Sequence, residues 1–163
     1  MGFSVLDPYK VPEQMPEGTV VIMKPDALER NLHWALLRRV EERCGLKLAS
    51  LAMVQLHQAD VYFLYGHQSH QGFWDDMVEY LTSAPVIVAI FEGAGAIEKV
   101  RTEVGHYDKS VPNHVCSGGP LTIRSAHGDK AKPNHVNLIH ASSGLIDYDK
   151  DRRWLIRKLR ETR

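Results

Sequence analysis

The histidine at position 140 is the residue whose surroundings most directly suggest chemistry. An apolar pair, Leu138 and Ile139, precedes His140, and small polar residues follow it before a predicted helix. A neutral imidazole is a good nucleophile toward phosphorus, and a hydrogen bond to one ring nitrogen determines which nitrogen keeps its lone pair. His140 is therefore a candidate for phosphoryl transfer, although the chain has 9 histidines and a lone histidine is more often an ordinary surface or core side chain.

Cationic side chains at three other positions are suited to binding phosphate. Lys24 follows the apolar residues 20–23 and precedes Pro25, so a buried strand is expected to end there. Arg101 falls on a predicted helix, and Arg124 follows residues 120–123. Guanidinium groups can hold phosphate oxygens in pairs, and a lysine supplies a compact positive charge. Each of these residues alone is explained equally well as a solvated surface charge.

Apolar periodicity and Gly or Pro punctuation predict the elements that would position these residues. Strands are predicted at 19–23, 46–56 and 85–91, with a weak fourth strand at 121–124 or 136–139. Helices are predicted at 32–44, 59–65, 73–81, 96–104 and after Ser143. The first of them is predicted to be capped by Asn31 and closed by Gly45, and residues 111–120 are predicted to form a loop. This order predicts an α+β fold, a ferredoxin-like βαββαβ antiparallel sheet with helices covering one face.

Length and composition set limits on domains and partners. The 163 residues suit one domain at 19–163, preceded by a proline-containing extended arm at 1–18. The 20 basic and 20 acidic residues cancel, which argues against nucleic acid as a partner, and the longest apolar stretch, 84–91, is too short to span a membrane. Cys44 and Cys116 form no disulfide framework, so a cytoplasmic location is expected. His67 and His70 lack acidic or cysteine partners at ligand spacing, so no metal site is predicted.

Several segments together resemble the nucleoside diphosphate kinase family, in the same linear order over about residues 19–151. The matching segments are Lys24-Pro25-Asp26 with Arg30, Tyr65, Phe73-Trp74, 83–93, Arg101, Thr122-Ile123-Arg124 and 137–142.

The resemblance implies that His140 is the phosphorylated nucleophile, with Lys24 and Tyr65 beside the transferring phosphate. It also implies that Ser142 and a carboxylate in the next helix orient His140, and ungapped counting places Asp151 at the carboxylate position.

The remaining implied contacts bind the nucleotide. Arg101 and Arg124 would clamp the phosphates, and Asn137 would join Lys24 at the ribose hydroxyls. Phe73 would stack on the base, a contact that any base can make, although a plain core role beside Trp74 is the alternative.

The reaction implied is a ping-pong transfer from ATP to a nucleoside diphosphate. The Mg2+ ion would be carried by the nucleotide, and the protein would form a homo-oligomer, namely a hexamer, tetramer or dimer.

Two positions depart from the family pattern. Tyr107 stands where a threonine usually helps to hold phosphate, and Asp151 replaces a glutamate, so its contact with His140 is expected to need a helix shift or a bridging water. These departures suggest an alternative, a catalytically slow nucleotide-binding regulatory protein on the same fold. A ferredoxin-like RNA-binding module is a third possibility, but the predicted strands lack the aromatic residues and basic excess it requires.

Overall fold

The computed structural model describes residues 16–108 and 121–162. Its strands are β1 (Gly18–Met23), β2 (Lys47–Val54), β3 (Val86–Glu92) and β4 (Ile139–Ala141). Its helices are α1 (Pro25–Glu29), α2 (His33–Cys44), α3 (Gln58–Tyr65), α4 (Trp74–Thr82), α5 (Ala96–Val104), α6 (Ile123–His127) and α7 (Leu145–Glu161).

The four strands form one antiparallel sheet in the order β2-β3-β1-β4. Strand β1 lies between β3 and β4, with Val21 opposite both Ala89 and Ala141. Helices connect β1 to β2 and β3 to β4, which gives the predicted ferredoxin-like α+β arrangement. The fold class is confirmed.

Helices cover both faces of this sheet, so the prediction that they cover one face is wrong. Alternate residues of β1 and β3 point to opposite sides, and every residue of β1 is buried. One set packs with α2 and α5, and its strand members are Val21, Met23, Ile87, Ala89 and Phe91. The other set packs with α3, α4 and α7, and its strand members are Val20, Ile22, Val86, Val88 and Ile90. An uninterrupted apolar strand is the pattern of a strand buried on both faces.

Two local predictions also differ from the structure. Residues 121–124 were expected as a possible fourth strand, but α6 begins there, because the Thr122 hydroxyl caps it by accepting a hydrogen bond from Ser125 N at 3.3 Å. The fourth strand is β4, which overlaps the alternative range 136–139 only at Ile139. Asn31 does not cap α2, which begins at His33; it follows α1 with a φ of 55°. Pro25 starts α1 as well as ending β1, a common role for proline in the first helical turn.

Residues 1–15 of the extended arm and the whole predicted loop, 111–120, lie outside the described residues. Gly18, assigned to the arm, pairs with Glu92 as the first residue of β1. Among the residues described, no helix is long and apolar enough to cross a bilayer.

Candidate active site

Strand pairing places His140 in the sheet. In the β1–β4 register, Ile22 lies opposite His140. The pairing continues on both sides, since Lys24 N donates to Leu138 O at 2.8 Å and Ser142 N donates to Val20 O at 3.1 Å. The same buried strand therefore positions both the histidine and the lysine of the site.

His140 contacts a buried carboxylate. Its Nε2 lies 3.0 Å from Asp151 Oδ2, and the Ser142 hydroxyl donates to the same oxygen at 3.0 Å. Asp151 is fully buried, and a carboxylate oxygen that accepts a hydrogen bond from Nε2 leaves the lone pair on Nδ1. The contact is direct, and the shorter aspartate needs no bridging water. Ser142 is thus linked to His140 through a shared oxygen of Asp151.

The Tyr65 ring packs edge-on against His140. The ring centroids are 5.3 Å apart with an interplanar angle of 79°, and Lys24 Nζ lies 5.7 Å from the centroid of the Tyr65 ring. Burial raises the pKa of the Tyr65 hydroxyl well above its ordinary value, so that it stays protonated at neutral pH. The hydroxyl has no hydrogen-bond partner among the residues described. It is a buried donor beside the candidate nucleophile.

Lys24 is held toward the loop before β4. Its Nζ donates to Asn137 Oδ1 at 2.8 Å and to His135 O at 3.2 Å. Asn137 in turn donates from Nδ2 to Asn134 O at 2.8 Å. These contacts bring together Lys24 and Asn137, which were predicted to act jointly at the ribose.

Arg124 is embedded in backbone carbonyls. It donates to Gly105 O at 3.1 Å and to Ile139 O, and more weakly to Asn137 Oδ1 at 3.4 Å. Within 16–108 and 121–162 it forms no ion pair with a carboxylate. Burial lowers the pKa of Arg124 to about 10, and the charge of Arg101 acts in the same direction. A cation held this way is well prepared to receive an anion, since an anion would offset the cost of its burial.

A cavity of about 820 Å³ connects these side chains, which is within the size range of small-molecule sites. It is lined by most of the predicted site residues, namely Lys24, Tyr65, Phe73, Arg101, Tyr107, Arg124, Asn137 and His140. Ser142 and Asp151 lie behind His140 and do not line it.

The two aromatic residues of the predicted nucleotide site are partly exposed. Phe73, at the start of α4, is 38% exposed, and its ring is stacked with that of His135. Tyr107 is 61% exposed and stacks on His106, with centroids 4.8 Å apart. A role for Phe73 purely in the core does not fit this exposure.

Sequence reasoning missed the contacts of Asp26. Its carboxylate accepts hydrogen bonds from Leu138 N, at 3.1 Å, and from the Tyr80 hydroxyl. Leu138 adopts a φ of 74°, which is unfavourable for leucine, two residues before His140. Asp26 therefore stabilises the backbone that leads into β4. The only signal was the Lys24-Pro25-Asp26 segment, which does not indicate the partners.

Asp147 was also missed as a cavity residue. It accepts hydrogen bonds from the backbone N–H of Ser143, at 3.2 Å, and from its hydroxyl. Burial alone would raise the pKa of Asp147, but the hydrogen bonds from Ser143 and Lys150 lower it to about 2. In the sequence, Asp147 was visible only as an acidic residue in the first turn of the last helix.

The described residues contain no group of three or more histidine, cysteine or acidic side chains able to hold a metal ion. Asp147 is the acidic side chain that lines the cavity. Its carboxylate is already engaged with Ser143 and Lys150.

Comparison with known proteins gives a consistent result. The family model described as "Nucleoside diphosphate kinase" matches residues 17–158. A nucleoside diphosphate kinase of Dehalococcoides mccartyi is 32% identical over 82% of this chain and 99% of its own length. That of Thermoplasma volcanium is 36% identical over 82% of this chain and 84% of its own.

Solved structures are similar over the same region. A nucleoside diphosphate kinase from Encephalitozoon cuniculi superposes with a TM-score of 0.74 at 28% identity, covering 87% of this chain and 89% of that one. The Aquifex aeolicus enzyme gives a TM-score of 0.72 at 27% identity, covering 86% and 95%. Sequence and fold agree over most of both chains, and the chain therefore belongs to the nucleoside diphosphate kinase family.

Proposed function

We propose that the protein is a nucleoside diphosphate kinase that transfers the γ-phosphate of a nucleoside triphosphate to a nucleoside diphosphate through phosphohistidine at His140. The observation that carries this proposal is the 3.0 Å contact between His140 Nε2 and the buried Asp151 carboxylate, in a cavity that also contains Lys24 and Arg124. A nucleophile with a defined lone pair beside cationic groups is what phosphoryl transfer requires.

In the first half-reaction, His140 Nδ1 attacks the γ-phosphorus in line. The bond from nitrogen to phosphorus forms as the bond from the γ-phosphorus to the β-bridging oxygen breaks, and the nucleoside diphosphate leaves with that electron pair. The proton stays on Nε2, where it is hydrogen-bonded to the Asp151 carboxylate. That carboxylate also stabilises the positive charge that develops on the ring. In the second half-reaction, a β-phosphate oxygen of another diphosphate attacks the same phosphorus and restores His140.

The other predicted residues bind the substrate. Arg101, Arg124 and Tyr107 contact phosphate oxygens, and Tyr65 donates beside the transferring group. Lys24 lies beside the transferring phosphate and joins Asn137 at the ribose hydroxyls, and Phe73 stacks on the base. Magnesium enters as the nucleotide complex and neutralises phosphate charge during the transfer.

The alternative of a slow regulatory nucleotide-binding protein was based on Asp151 and Tyr107. The direct contact of Asp151 with His140 argues against the part of this alternative that was based on Asp151.

We also propose a cytoplasmic, homo-oligomeric enzyme. Exposed apolar side chains on α2 and β2, such as Trp34 (58%) and Met53 (65%), support the assembly, and sedimentation equilibrium would test it.

The proposal is tested by labelling. Incubation with γ-labelled ATP and magnesium should leave an acid-labile, base-stable phosphate on the protein, because phosphoramidates hydrolyse in acid. Chasing with GDP, CDP or UDP should then move the label to each corresponding triphosphate, since stacking on Phe73 reads no base edge.

Two variants provide the controls. His140→Ala should lose labelling and reduce turnover by at least about a thousandfold, because the nucleophile is absent. His70→Ala removes an exposed histidine that does not line the cavity, and should label like wild type. Equal labelling of His140→Ala would disprove the assignment of the nucleophile, and labelling without transfer to any diphosphate would favour the regulatory alternative.

A further inference from the structure

Lys150 connects three groups at the start of α7. Its Nζ donates to Leu64 O at 3.2 Å, and it lies 3.2 Å from Asp147 Oδ1 and 3.8 Å from Asp151 Oδ1. Asp147 lines the cavity, and Asp151 contacts His140. The ammonium group therefore lies close to both the carboxylate at the cavity wall and the carboxylate behind the candidate nucleophile.

The negative charge of both carboxylates extends into the site. Burial raises the pKa of the Tyr65 hydroxyl, Asp151 raises it further, Arg124 lowers it and Asp147 raises it. The Tyr65 ring packs against His140, so the same charges also act on the imidazole. A nearby negative charge favours the protonated form of an imidazole, which has no lone pair with which to attack phosphorus.

The cations that line the cavity are poorly suited to offset this negative charge during the reaction. They are Lys24, Arg101 and Arg124, and in the proposed function they lie against phosphate, which neutralises them. Lys150 does not line the cavity, so its charge is not taken up by the nucleotide. The titratable side chains that also line the cavity are Tyr65, His67, His106, Tyr107 and His135.

We propose that Lys150 is a positioning residue that balances the charges of Asp147 and Asp151 and thereby keeps His140 neutral while nucleotide is bound. This inference rests on the proposed function, because the protonation of His140 limits the rate only if His140 is the nucleophile. The Lys150 side chain is 29% exposed, so its charge acts through a partly screened interaction. A variant without this charge should need a higher pH to reach the same rate.

The pH dependence of phosphoenzyme formation tests this role. The rate would be measured by rapid quench at saturating MgATP, from about pH 5.5 to 9. In Lys150→Met, which keeps the aliphatic stem, the acid limb should move to higher pH by about 0.5 to 1 pH unit, so the rate on that limb should fall by about threefold to tenfold. On the alkaline plateau the rate should match that of wild type.

Three further variants separate the charge from the hydrogen bond. Lys150→Arg keeps the charge and should keep the wild-type profile. Lys150→Gln keeps an amide donor for Leu64 O without the charge, and should behave like Lys150→Met. Lys47→Gln removes an exposed lysine in β2, at the opposite edge of the sheet from β4, and should leave the profile unchanged.

An NMR titration of the free protein gives a second readout that does not depend on activity. The imidazole resonances of His140 would be assigned by their loss in His140→Gln. The midpoint of this titration should move to higher pH in Lys150→Met and in Lys150→Gln, and should stay in place in Lys150→Arg.

Three results would overturn the inference. A fall by the same factor at every pH in Lys150→Met would show that Lys150 supports folding or binding instead. A wild-type profile in Lys150→Gln would show that only the hydrogen bond to Leu64 matters, and an unmoved NMR midpoint would show that the charge does not act on His140. In each case wild type would still be labelled on His140, whereas absence of that label would refute the proposed function itself, so the two failures are distinguishable.

Discussion

Helix α7 contributes to two buried carboxylate networks that differ in how fully the charge is compensated. Further along the helix, Trp154 Nε1 and Lys158 Nζ donate to Asp60 at 2.9 and 2.6 Å, and His57 N donates to it at 2.8 Å. Closer to the start of the helix, one carboxylate oxygen of Asp151 is hydrogen-bonded to both His140 Nε2 and the Ser142 hydroxyl. In the described part of the chain, the other oxygen of Asp151 has no hydrogen bond.

The difference between the two networks is that the charge of Asp60 is fully compensated, whereas the charge of Asp151 is compensated only in part. Burial alone would raise the pKa of Asp60, but the hydrogen bonds from Lys158, His57 and Trp154 outweigh it and lower the pKa. Asp151 instead has Lys150 Nζ 3.8 Å from its Oδ1, without a hydrogen bond to that oxygen among the described residues. The proposed role of Asp151, to stabilise positive charge on His140, is consistent with a charge that is less fully compensated.

The largest effect on stability is expected at Asp60. Asp60→Asn should lower the free energy of unfolding by about 3 to 5 kcal/mol, because it leaves Lys158 buried without its counter-charge. Urea unfolding followed by tryptophan fluorescence would measure it. Adding Lys158→Met should recover part of the loss, whereas additive losses would show that the pair is not coupled. The folded fraction of Asp60→Asn should still become labelled on His140.

The stability contribution of Asp60 should also depend on pH in a defined direction. Folding lowers the pKa of Asp60 below its ordinary value of 3.8, so the contribution is complete above that value and is lost as the pH falls through the lower folded pKa. The stability advantage of wild type over Asp60→Asn should therefore shrink as the pH falls from roughly 4 to 2. An advantage that stays constant over this range would contradict the assignment.

At Asp151 the expected effect is on rate. Asp151→Asn should lower kcat by about tenfold to a hundredfold, the usual cost of losing a carboxylate that orients a histidine. KM should change little, because Asp151 does not line the cavity. Steady-state kinetics would measure both constants. Asp151→Glu should retain most of the activity if helix α7 can accommodate one more methylene, and a large rise in KM with unchanged kcat would exclude the orienting role.

Tyr107 should give the smallest effect, since it belongs to neither network and is 61% exposed. Tyr107→Phe removes only the hydroxyl and should lower kcat/KM by about twofold to tenfold, the value of one neutral hydrogen bond to phosphate. The melting temperature should not change. If kcat/KM equals that of wild type, Tyr107 has no phosphate contact and serves only in the stack with His106.

Features with a local cause could be predicted from the sequence. The observed bounds of α5, residues 96–104, match the predicted ones, because Gly95 and Gly105 flank a single amphipathic helical pattern. Gly45 ends α2 with the expected left-handed φ of 61°. Ungapped counting selected Asp151, which lies 3.0 Å from His140 Nε2, but its orienting role stays a prediction. The roles assigned to the cavity residues stay predictions.

Features without a local cause could not be predicted. The contact of Asp26 with Leu138 joins residues 112 apart in the chain. The stack of Phe73 on His135 likewise depends on how α4 and the loop before β4 meet. The β-branched residues around Thr122 favour a strand locally, but its hydroxyl caps a helix instead. The second helical layer was missed although residues 20–23 form an uninterrupted apolar run, because periodicity alone does not distinguish such a short run in a strand buried on both faces from a buried helix segment.

The pairing of β4 with β1 has a consequence for which insertions and deletions the chain can tolerate. Ile22 lies opposite His140, and a strand places successive side chains on opposite faces of the sheet. A one-residue deletion between Leu138 and His140 would therefore turn the imidazole away from Asp151, while the overall fold could persist. The same deletion at exposed residues 129–132 would shorten a surface loop and leave the register intact. Changes in chain length that preserve activity should therefore occur in the loop before Leu138 and not between Leu138 and His140, even where the amino-acid composition of the two segments is similar.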